Sequence, residues 1–390
     1  MLNPVYLDNA ATTPVRPEVL EAMMPYLTNE AFGNPSSPHR FGQRARAGID
    51  KAKRQIADAL HAEPGQVIFT SGGTEADNLA VIGSALAARK RGEPMRVSVT
   101  TAEHKAVIAA AKTVEAMGGE AIFLPVDARC QVDLAAVDEA LATGLSVLSA
   151  MWVNNEVGII QDLRTVADRC SEAGVPFHTD AVQAVGKIPC VVDDFPCPLL
   201  AISGHKIGAP KGIGALIVRD RQAVQAIIHG GGQQFGLRPG TENVSGIVAL
   251  GRAVELAVSE VDTAAPRLRG LRDAFEQRLL EAVPNTTVIG ADTDRAPHVS
   301  AVCFPGIDPQ ALLMHCDLAG LACSSGSACN TGSPEPSHVL AAMGLPEDIA
   351  VTMVRFSFFK QNTPQDVDRA IEILPGIVEK VRKLTEALAR

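Results

Sequence analysis

The 390-residue chain lacks the features that define several large protein classes. Aromatic residues make up only 4% of it, and no uncharged apolar stretch approaches the roughly 20 residues of a membrane-spanning helix. The formal net charge is −9, and there is no long basic run. Since contacts to nucleic-acid phosphates need clustered Lys and Arg, the missing basic run argues against nucleic-acid binding. The missing apolar stretch argues against a membrane protein.

The eight cysteines are not spaced for metal or redox chemistry. They lie at positions 130, 170, 190, 197, 303, 316, 323 and 329, and no two form a CxxC pair. The N-terminus has no basic region followed by an apolar run, so no secretory signal is predicted. We therefore expect a cytoplasmic protein with free thiols, most of them small buried side chains.

The chain does contain a regular alternation of short apolar runs and helical patterns. Helical patterns separate most of these runs, and strands that alternate with helices predict βαβ units and a largely parallel sheet. Strands are predicted at residues 66–70, 97–100, 121–124, 146–153, 176–179, 199–203 and 213–218.

The pattern changes towards the C-terminus. A helical pattern at about 242–261 is followed by Pro266 and a second helix to about 282, then by strands at 299–304 and 351–358 and helices at 309–319 and 364–388. We predict an α/β fold with a large domain at 14–262, whose mainly parallel sheet is flanked by helices. Residues 1–13 and 263–390 would form a smaller α+β domain.

Polar residues follow several of the predicted strands. In open parallel sheets, ligands bind at the carboxyl ends of the strands. The candidate site residues are therefore those of 71–74, His104, Asn155, Asp180 and those of 203–206.

Lys206 is the most informative of these residues. It follows Ser203 and His205 and precedes a turn rich in Gly and Pro, so an amine stands beside an imidazole and a hydroxyl at a strand end. Such an amine suits covalent capture of an aldehyde cofactor, and Asp180 could pair with a pyridinium nitrogen. The combination suggests pyridoxal phosphate, although most lysines are simply solvated surface residues.

The other candidates have simpler alternative explanations when each is taken alone. Gly73 and Thr74 could bind an anion at a helix N-terminus or could merely begin a helix. His104 could be an ordinary loop histidine, and Asp180 could be a helix cap. Arg355 interrupts an apolar strand and needs either a substrate carboxylate or an internal salt bridge.

Cys329 lies in a stretch, residues 323–336, made largely of small and polar residues with Gly, Ser and Pro. Such a composition predicts an exposed, mobile loop, where a cysteine is not core filler. At its ordinary pKa only ~3% of a thiol is ionised at pH 7, so a reactive role requires local help.

Together these segments resemble the cysteine desulfurases, pyridoxal-phosphate enzymes of the class V aminotransferase superfamily and fold type I. The similarity is to the group with a long active-site cysteine loop, and it covers nearly the whole chain. The matching segments are residues 6–13, 33–37, 70–78, 103–107, 153–158, 180–183, 203–214, 230–241, 324–338 and 355–357.

The resemblance implies a role for each candidate residue. Lys206 would bind the cofactor covalently, with Asp180 on the pyridine nitrogen, Gln183 on the ring hydroxyl and His104 stacked on the ring. Asn155 and Arg355 would bind the substrate, and Cys329 would be the nucleophile. The phosphate would be held by Gly73, Thr74, Ser203 and His205, and by Thr241 of a second subunit, which implies a homodimer.

The implied reaction converts L-cysteine to L-alanine and leaves a persulfide on Cys329, which a protein acceptor such as an iron–sulfur scaffold or a thiolation protein would take up. The alternatives are a selenocysteine lyase, another fold-type-I aminotransferase-like enzyme, and a non-enzymatic sulfur-relay scaffold. The sequence departs from the family at Lys360, where an arginine is frequent, so no role is assigned to Lys360.

Overall fold

The structure is a computed structural model that describes residues 4–190, 196–325 and 336–388. Cys329 lies outside the described residues. The strands are β1 (Val5–Tyr6), β2 (Val67–Thr70), β3 (Arg96–Thr100), β4 (Glu120–Leu124), β5 (Val147–Ser149), β6 (Phe177–Asp180), β7 (Leu199–Ser203), β8 (Gly214–Val218), β9 (Thr287–Val288), β10 (Val299–Cys303), β11 (Leu321–Ala322), β12 (Ser324–Ser325) and β13 (Met353–Ser357).

Helices occupy about half of the remaining described chain. They are α1 (Pro17–Met23), α2 (Arg40–Leu60), α3 (Gly73–Arg91), α4 (Lys105–Ala116), α5 (Leu134–Leu141), α6 (Leu163–Glu172), α7 (Val244–Ser259), α8 (Val261–Ala282), α9 (Pro309–Leu318), α10 (His338–Ala342), α11 (Glu347–Ala350) and α12 (Pro364–Leu388). In the part of the chain that is described, no helix combines the length and apolar character that crossing a membrane requires.

The main sheet has seven strands in the order β2-β8-β7-β6-β5-β3-β4. Strands β3 to β7 run parallel, and β8 is antiparallel to both of its neighbours. Along β7, Leu199 and Ala201 pack into one apolar cluster, while Leu200 and Ile202 pack into another. Alternate side chains therefore face opposite helical layers, and both faces of the sheet are buried. The predicted α/β fold class, a mainly parallel sheet flanked by helices, is confirmed.

A second, antiparallel sheet has the order β12-β13-β10-β9 and packs against α8 and α12. Strand β1 pairs in parallel with β11, so the N-terminal segment joins this C-terminal unit. Helix α8 begins at Val261 and includes Pro266. The boundary predicted between the two domains therefore falls within the first turns of a continuous helix, and the division at 262/263 stays a prediction.

The strand predicted at 146–153 is too long. Strand β5 ends at Ser149, and the chain turns where the Oδ1 atom of Asn154 accepts hydrogen bonds from the backbone N–H groups of Glu156 and Val157. An Asn side chain that satisfies nearby backbone donors competes with strand pairing. This turn places Asn155 beside the site described below.

The core of the smaller unit depends on Phe275, which is fully buried and packs against Phe356 and Phe358 at ring-centroid distances of 4.8 and 5.8 Å. We expect Phe275→Ala to lower the free energy of unfolding by about 3–5 kcal/mol, because it leaves a cavity. Leu384→Ala, at a position that is 46% exposed, is the control. Urea unfolding measures both variants, and equal, small losses would contradict this account of the core.

Candidate active site

A cavity of about 360 Å³ opens where the carboxyl ends of β6 and β7 meet the N-terminus of α3 and the segment at residues 10–11. Its size falls in the usual range for small-molecule sites. The structure brings together at this cavity most of the residues predicted for the site: Gly73, Thr74, His104, Asn155, Asp180, Gln183, Ser203, His205, Lys206 and Arg355.

Lys206 ends a short 3₁₀ helix, Gly204–Lys206, which directly follows β7. Its Nζ atom donates to the carbonyl oxygens of Ala10 and Ala11 at 2.6 and 2.7 Å. Burial, and next the positive charge of Arg355, lower the pKa of Lys206 to about 8. About a tenth of the Lys206 amine is therefore in the neutral, nucleophilic form at pH 7, far more than for an ordinary lysine.

Asp180 is the last residue of β6, and its carboxyl group is buried at the wall of the cavity. Its Oδ1 atom accepts a hydrogen bond from the backbone N–H of Val182 at 2.9 Å. Burial raises the pKa of Asp180, while the nearby His104 and Lys206 act in the opposite direction. The carboxyl group thus caps the local backbone and also faces the site.

Gln183 lies one turn beyond Asp180. Its Nε2 atom donates to the carbonyl oxygen of Ala10 at 2.9 Å, and its Oε1 atom lies 3.2 Å from Nε2 of His298. Gln183 therefore links the N-terminal segment to a buried histidine.

His104 caps the N-terminus of α4 and also lines the cavity. Its Nδ1 atom accepts a hydrogen bond from the backbone N–H of Ala106 at 3.1 Å. Burial is the largest cause that lowers the pKa of His104, and the charge of Lys206 acts in the same direction. A neutral imidazole that accepts at Nδ1 carries its proton on Nε2.

The N-terminus of α3 presents backbone N–H groups to the cavity. A Cβ atom at Gly73 would lie 2.8 Å from the Cγ2 atom of Val182, so a larger residue at this position would force the Val182 side chain to shift. Ser203 and His205 lie beside it. Burial, and next the charge of Lys206, lower the pKa of His205 to about 4. A helix N-terminus among polar side chains can bind a phosphate group.

Arg355 in β13 has partners on two sides. Its NH1 atom donates to the carbonyl oxygen of Asn155 at 2.7 Å, and its NH2 atom pairs with Oδ1 of Asp8 at 3.1 Å. The internal salt bridge considered for this residue is therefore present. The guanidinium also lines the cavity, and its buried Nε atom has no hydrogen-bond partner among the described residues.

Two predicted site residues are not brought to this cavity. Thr241 is exposed, and it does not line the cavity of its own chain. Cys329 lies outside the described residues, but Ser324 and Ser325, which precede its segment, line the cavity.

Several residues at the site were missed from the sequence. Asp8 is the partner of Arg355, Asp77 lines the cavity, and Glu103 is fully buried beside His104. Burial, and next Asp180, raise the pKa of Glu103 to about 8. The segments that resemble the cysteine desulfurases include Asp8, Asp77 and Glu103, but only the fold shows what their carboxyl groups contact.

The set of groups fits a planar, phosphorylated aldehyde with a ring nitrogen. Lys206 offers an amine, Asp180 a buried carboxyl group, and the start of α3 a set of phosphate donors. Arg355 offers a buried guanidinium for a second, carboxylate-bearing molecule. The arrangement can therefore support amine chemistry on an amino acid.

The chain is similar over nearly its whole length to known proteins. A family model described as aminotransferase class-V matches residues 5–370. The cysteine desulfurase of Gluconacetobacter diazotrophicus is 45% identical over 386 residues, which cover 98% of this chain and 96% of that protein. A solved NifS-like protein is 33% identical, with a TM-score of 0.87 and coverage of 98% and 99%. A structure of SspA in complex with cysteine is 34% identical, with a TM-score of 0.79 and coverage of 91% and 98%.

The lowered pKa of Lys206 predicts the pH at which its amine becomes reactive. In protein freed of small molecules, reductive methylation of Lys206 should increase with pH around a midpoint near 8. Arg355→Met should move that midpoint upward, because it removes a positive charge. Arg369→Met, which alters a surface ion pair on α12, is the control. Mass spectrometry of the Lys206 peptide gives the profile, and an unchanged midpoint in Arg355→Met would be the contrary result.

Proposed function

We propose catalytic roles for the residues that line this cavity. The chain belongs to the aminotransferase class-V family and is an L-cysteine desulfurase. Enzymes of this family depend on pyridoxal phosphate. We infer that the cofactor binds covalently to Lys206 in the cavity described above. The main support is that the amine of Lys206 and the carboxyl group of Asp180 line one cavity with the N-terminus of α3.

Each part of the cofactor has a matching group in this cavity. The pyridine nitrogen would pair with Asp180, and the ring hydroxyl would contact Gln183. His104 would stack on the ring. The phosphate would lie at the start of α3, where the N–H groups of Gly73 and Thr74 meet Ser203 and His205.

Bound pyridoxal phosphate supplies an aldehyde that condenses with amines and a protonated ring that withdraws electrons from the substrate. Arg355 and Asn155 would hold the cysteine substrate, with its carboxylate on the guanidinium. The Lys206 amine, once released, would accept the proton from the substrate Cα atom, since its lowered pKa suits a base near neutral pH. His104 would act on the proton of the substrate thiol.

Cys329 would complete the reaction. Its thiolate would attack the substrate sulfur, forming an S–S bond while the Cβ–S bond breaks, and proton uptake at carbon gives L-alanine. The persulfide sulfur would then pass to an acceptor protein, such as an iron–sulfur scaffold or a thiolation protein.

The position of the persulfide tests this assignment. Cys329→Ala should reduce alanine formation by roughly 100-fold or more and abolish the persulfide, because the nucleophile is gone. Cys323→Ala, which removes a partly buried thiol in the same region, should leave both within about twofold. Mass spectrometry of cysteine-treated protein locates the sulfur, and a persulfide on a cysteine other than Cys329 would overturn the assignment.

Lys206→Ala should also lose the visible absorbance of the bound cofactor.

We also propose that the enzyme is a homodimer in which Thr241 reaches the phosphate bound by the partner subunit. Two observations support this proposal. Thr241 is exposed and does not line the cavity of its own chain. Large apolar side chains are also exposed, among them Phe41 at 48% and, six residues before Thr241, Phe235 at 51%.

Mixed dimers distinguish action within one subunit from action across two. Thr241→Val should weaken cofactor binding by about tenfold, because a charge-assisted hydrogen bond to phosphate is lost. With pyridoxal phosphate kept below the dissociation constant of the Thr241→Val protein, mixing in inactive Lys206→Ala subunits should raise activity above that of Thr241→Val alone, since the mixed dimer has one intact site. Absence of recovery, in mixtures shown to exchange subunits, would mean that Thr241 does not act across the interface.

A further inference from the structure

Asp77 is a buried carboxyl group that faces the cavity but has no part in the proposed chemistry. It lies in the second turn of α3 and is 1% exposed. Among the described residues, its Oδ1 atom has no hydrogen-bond partner. Because an ionised carboxylate is costly to bury without partners, this position requires an explanation.

Two buried polar side chains, Ser149 and His178, form a chain that ends at Asp77. The Oγ atom of Ser149 lies 2.9 Å from Nδ1 of His178, and Nε2 of His178 lies 3.7 Å from Oδ1 of Asp77. Side-chain atoms of Asp77, His104 and Asp180 lie within 4.8 Å of one another. His178 and Asp180 are alternate residues of β6, so their side chains share the face on which α3 packs.

We propose that Asp77 is a positioning residue that acts as a neutral carboxylic acid, directing its O–H group towards Asp180 and thereby keeping Asp180 ionised for the pyridinium nitrogen. In this proposal the hydroxyl of Ser149 donates to Nδ1 of His178, so that the imidazole proton lies on Nε2, which faces Oδ1 of Asp77 at 3.7 Å. The inference rests on the proposed binding of pyridoxal phosphate next to Asp180.

The charges around Asp77 favour its neutral form. The titratable groups that face it are Asp180 and His178 from β6 and Glu103 and His104 from the segment between β3 and α4. Burial, and next Asp180 and Glu103, raise the pKa of Asp77 well above its ordinary value. Burial also lowers the pKa of His178 to about 3, which opposes an imidazolium–carboxylate pair.

If Asp77 acts as a neutral hydrogen-bond donor, Asp77→Asn should preserve cofactor binding. If it acts as a buried charge, Asp77→Asn should weaken cofactor binding. Asp77→Asn keeps a neutral side chain with hydrogen-bond donors, whereas Asp77→Ala removes the donor. A donor lowers the pKa of Asp180. Without the donor, Asp180 becomes protonated at higher pH and loses its pairing with the pyridinium as the pH falls.

The measurement is the dissociation constant of pyridoxal phosphate from cofactor-free protein, followed by visible absorbance between pH 6 and pH 8.5. We expect Asp77→Asn to bind within about threefold of the unsubstituted protein at every pH. Asp77→Ala should bind about tenfold more weakly, a shift equivalent to one pKa unit, with a larger loss at pH 6 than at pH 8.5. Asp77→Leu, with an apolar side chain of similar size, gives the same comparison if Asp77→Ala fails to fold.

Ser84→Ala is the matched control, because Ser84 is also buried in α3 and its Oγ atom also has no partner among the described residues. Its affinity should be unchanged. The inference is overturned if Asp77→Asn binds as weakly as Asp77→Ala, which would indicate a required charge, or if both bind as tightly as Ser84→Ala. If the unsubstituted protein binds no pyridoxal phosphate, the proposed function fails as well, so the two failures are distinguishable.

Discussion

The hydrogen bonds from Lys206 to the carbonyl oxygens of Ala10 and Ala11 join the main sheet to the N-terminal segment. The same carbonyl of Ala10 accepts from Gln183, and the backbone N–H of Ala10 donates to Ser357 in the smaller sheet. One short segment thereby fixes the reactive amine relative to two sheets that have separate apolar cores. The cavity depends on this segment, because its walls come from both units.

Burial determines the chemistry at this junction more than any single ion pair does. It is the largest cause of the lowered pKa of Lys206 and His205 and of the raised pKa of Glu103. Imidazoles that are neutral near pH 7, and an amine whose pKa is lowered to about 8, can accept protons near neutral pH. The packing of the helices on the sheet therefore creates the low-dielectric surroundings that shift these pKa values.

Sequence patterns could predict the large sheet and most of the cavity, because the carboxyl ends of parallel strands converge. Asp180 and Lys206 follow strands whose apolar runs are clear, and both line the cavity as expected. Asp77 could not be recognised in this way, since a polar residue inside a helix is usually solvated. Nor could the pairing of Asp8 with Arg355, which depends on how β1 and β13 are brought together across 347 residues. The roles of Thr241 and Cys329 rest on family resemblance, and both stay proposals.

The ion pair between Arg355 and Asp8 lies between the proposed carboxylate-binding group and the segment whose carbonyl oxygens hold the Lys206 amine. A substrate carboxylate that binds the guanidinium of Arg355 would compete with Asp8 for the same donors. Asp8 lies two residues before Ala10, whose carbonyl oxygen holds Lys206. Displacing Asp8 would therefore act on the segment that restrains the lysine. On the proposed mode of substrate binding, a ligand without a carboxylate would leave the Arg355–Asp8 ion pair, and with it the position of this segment, unchanged.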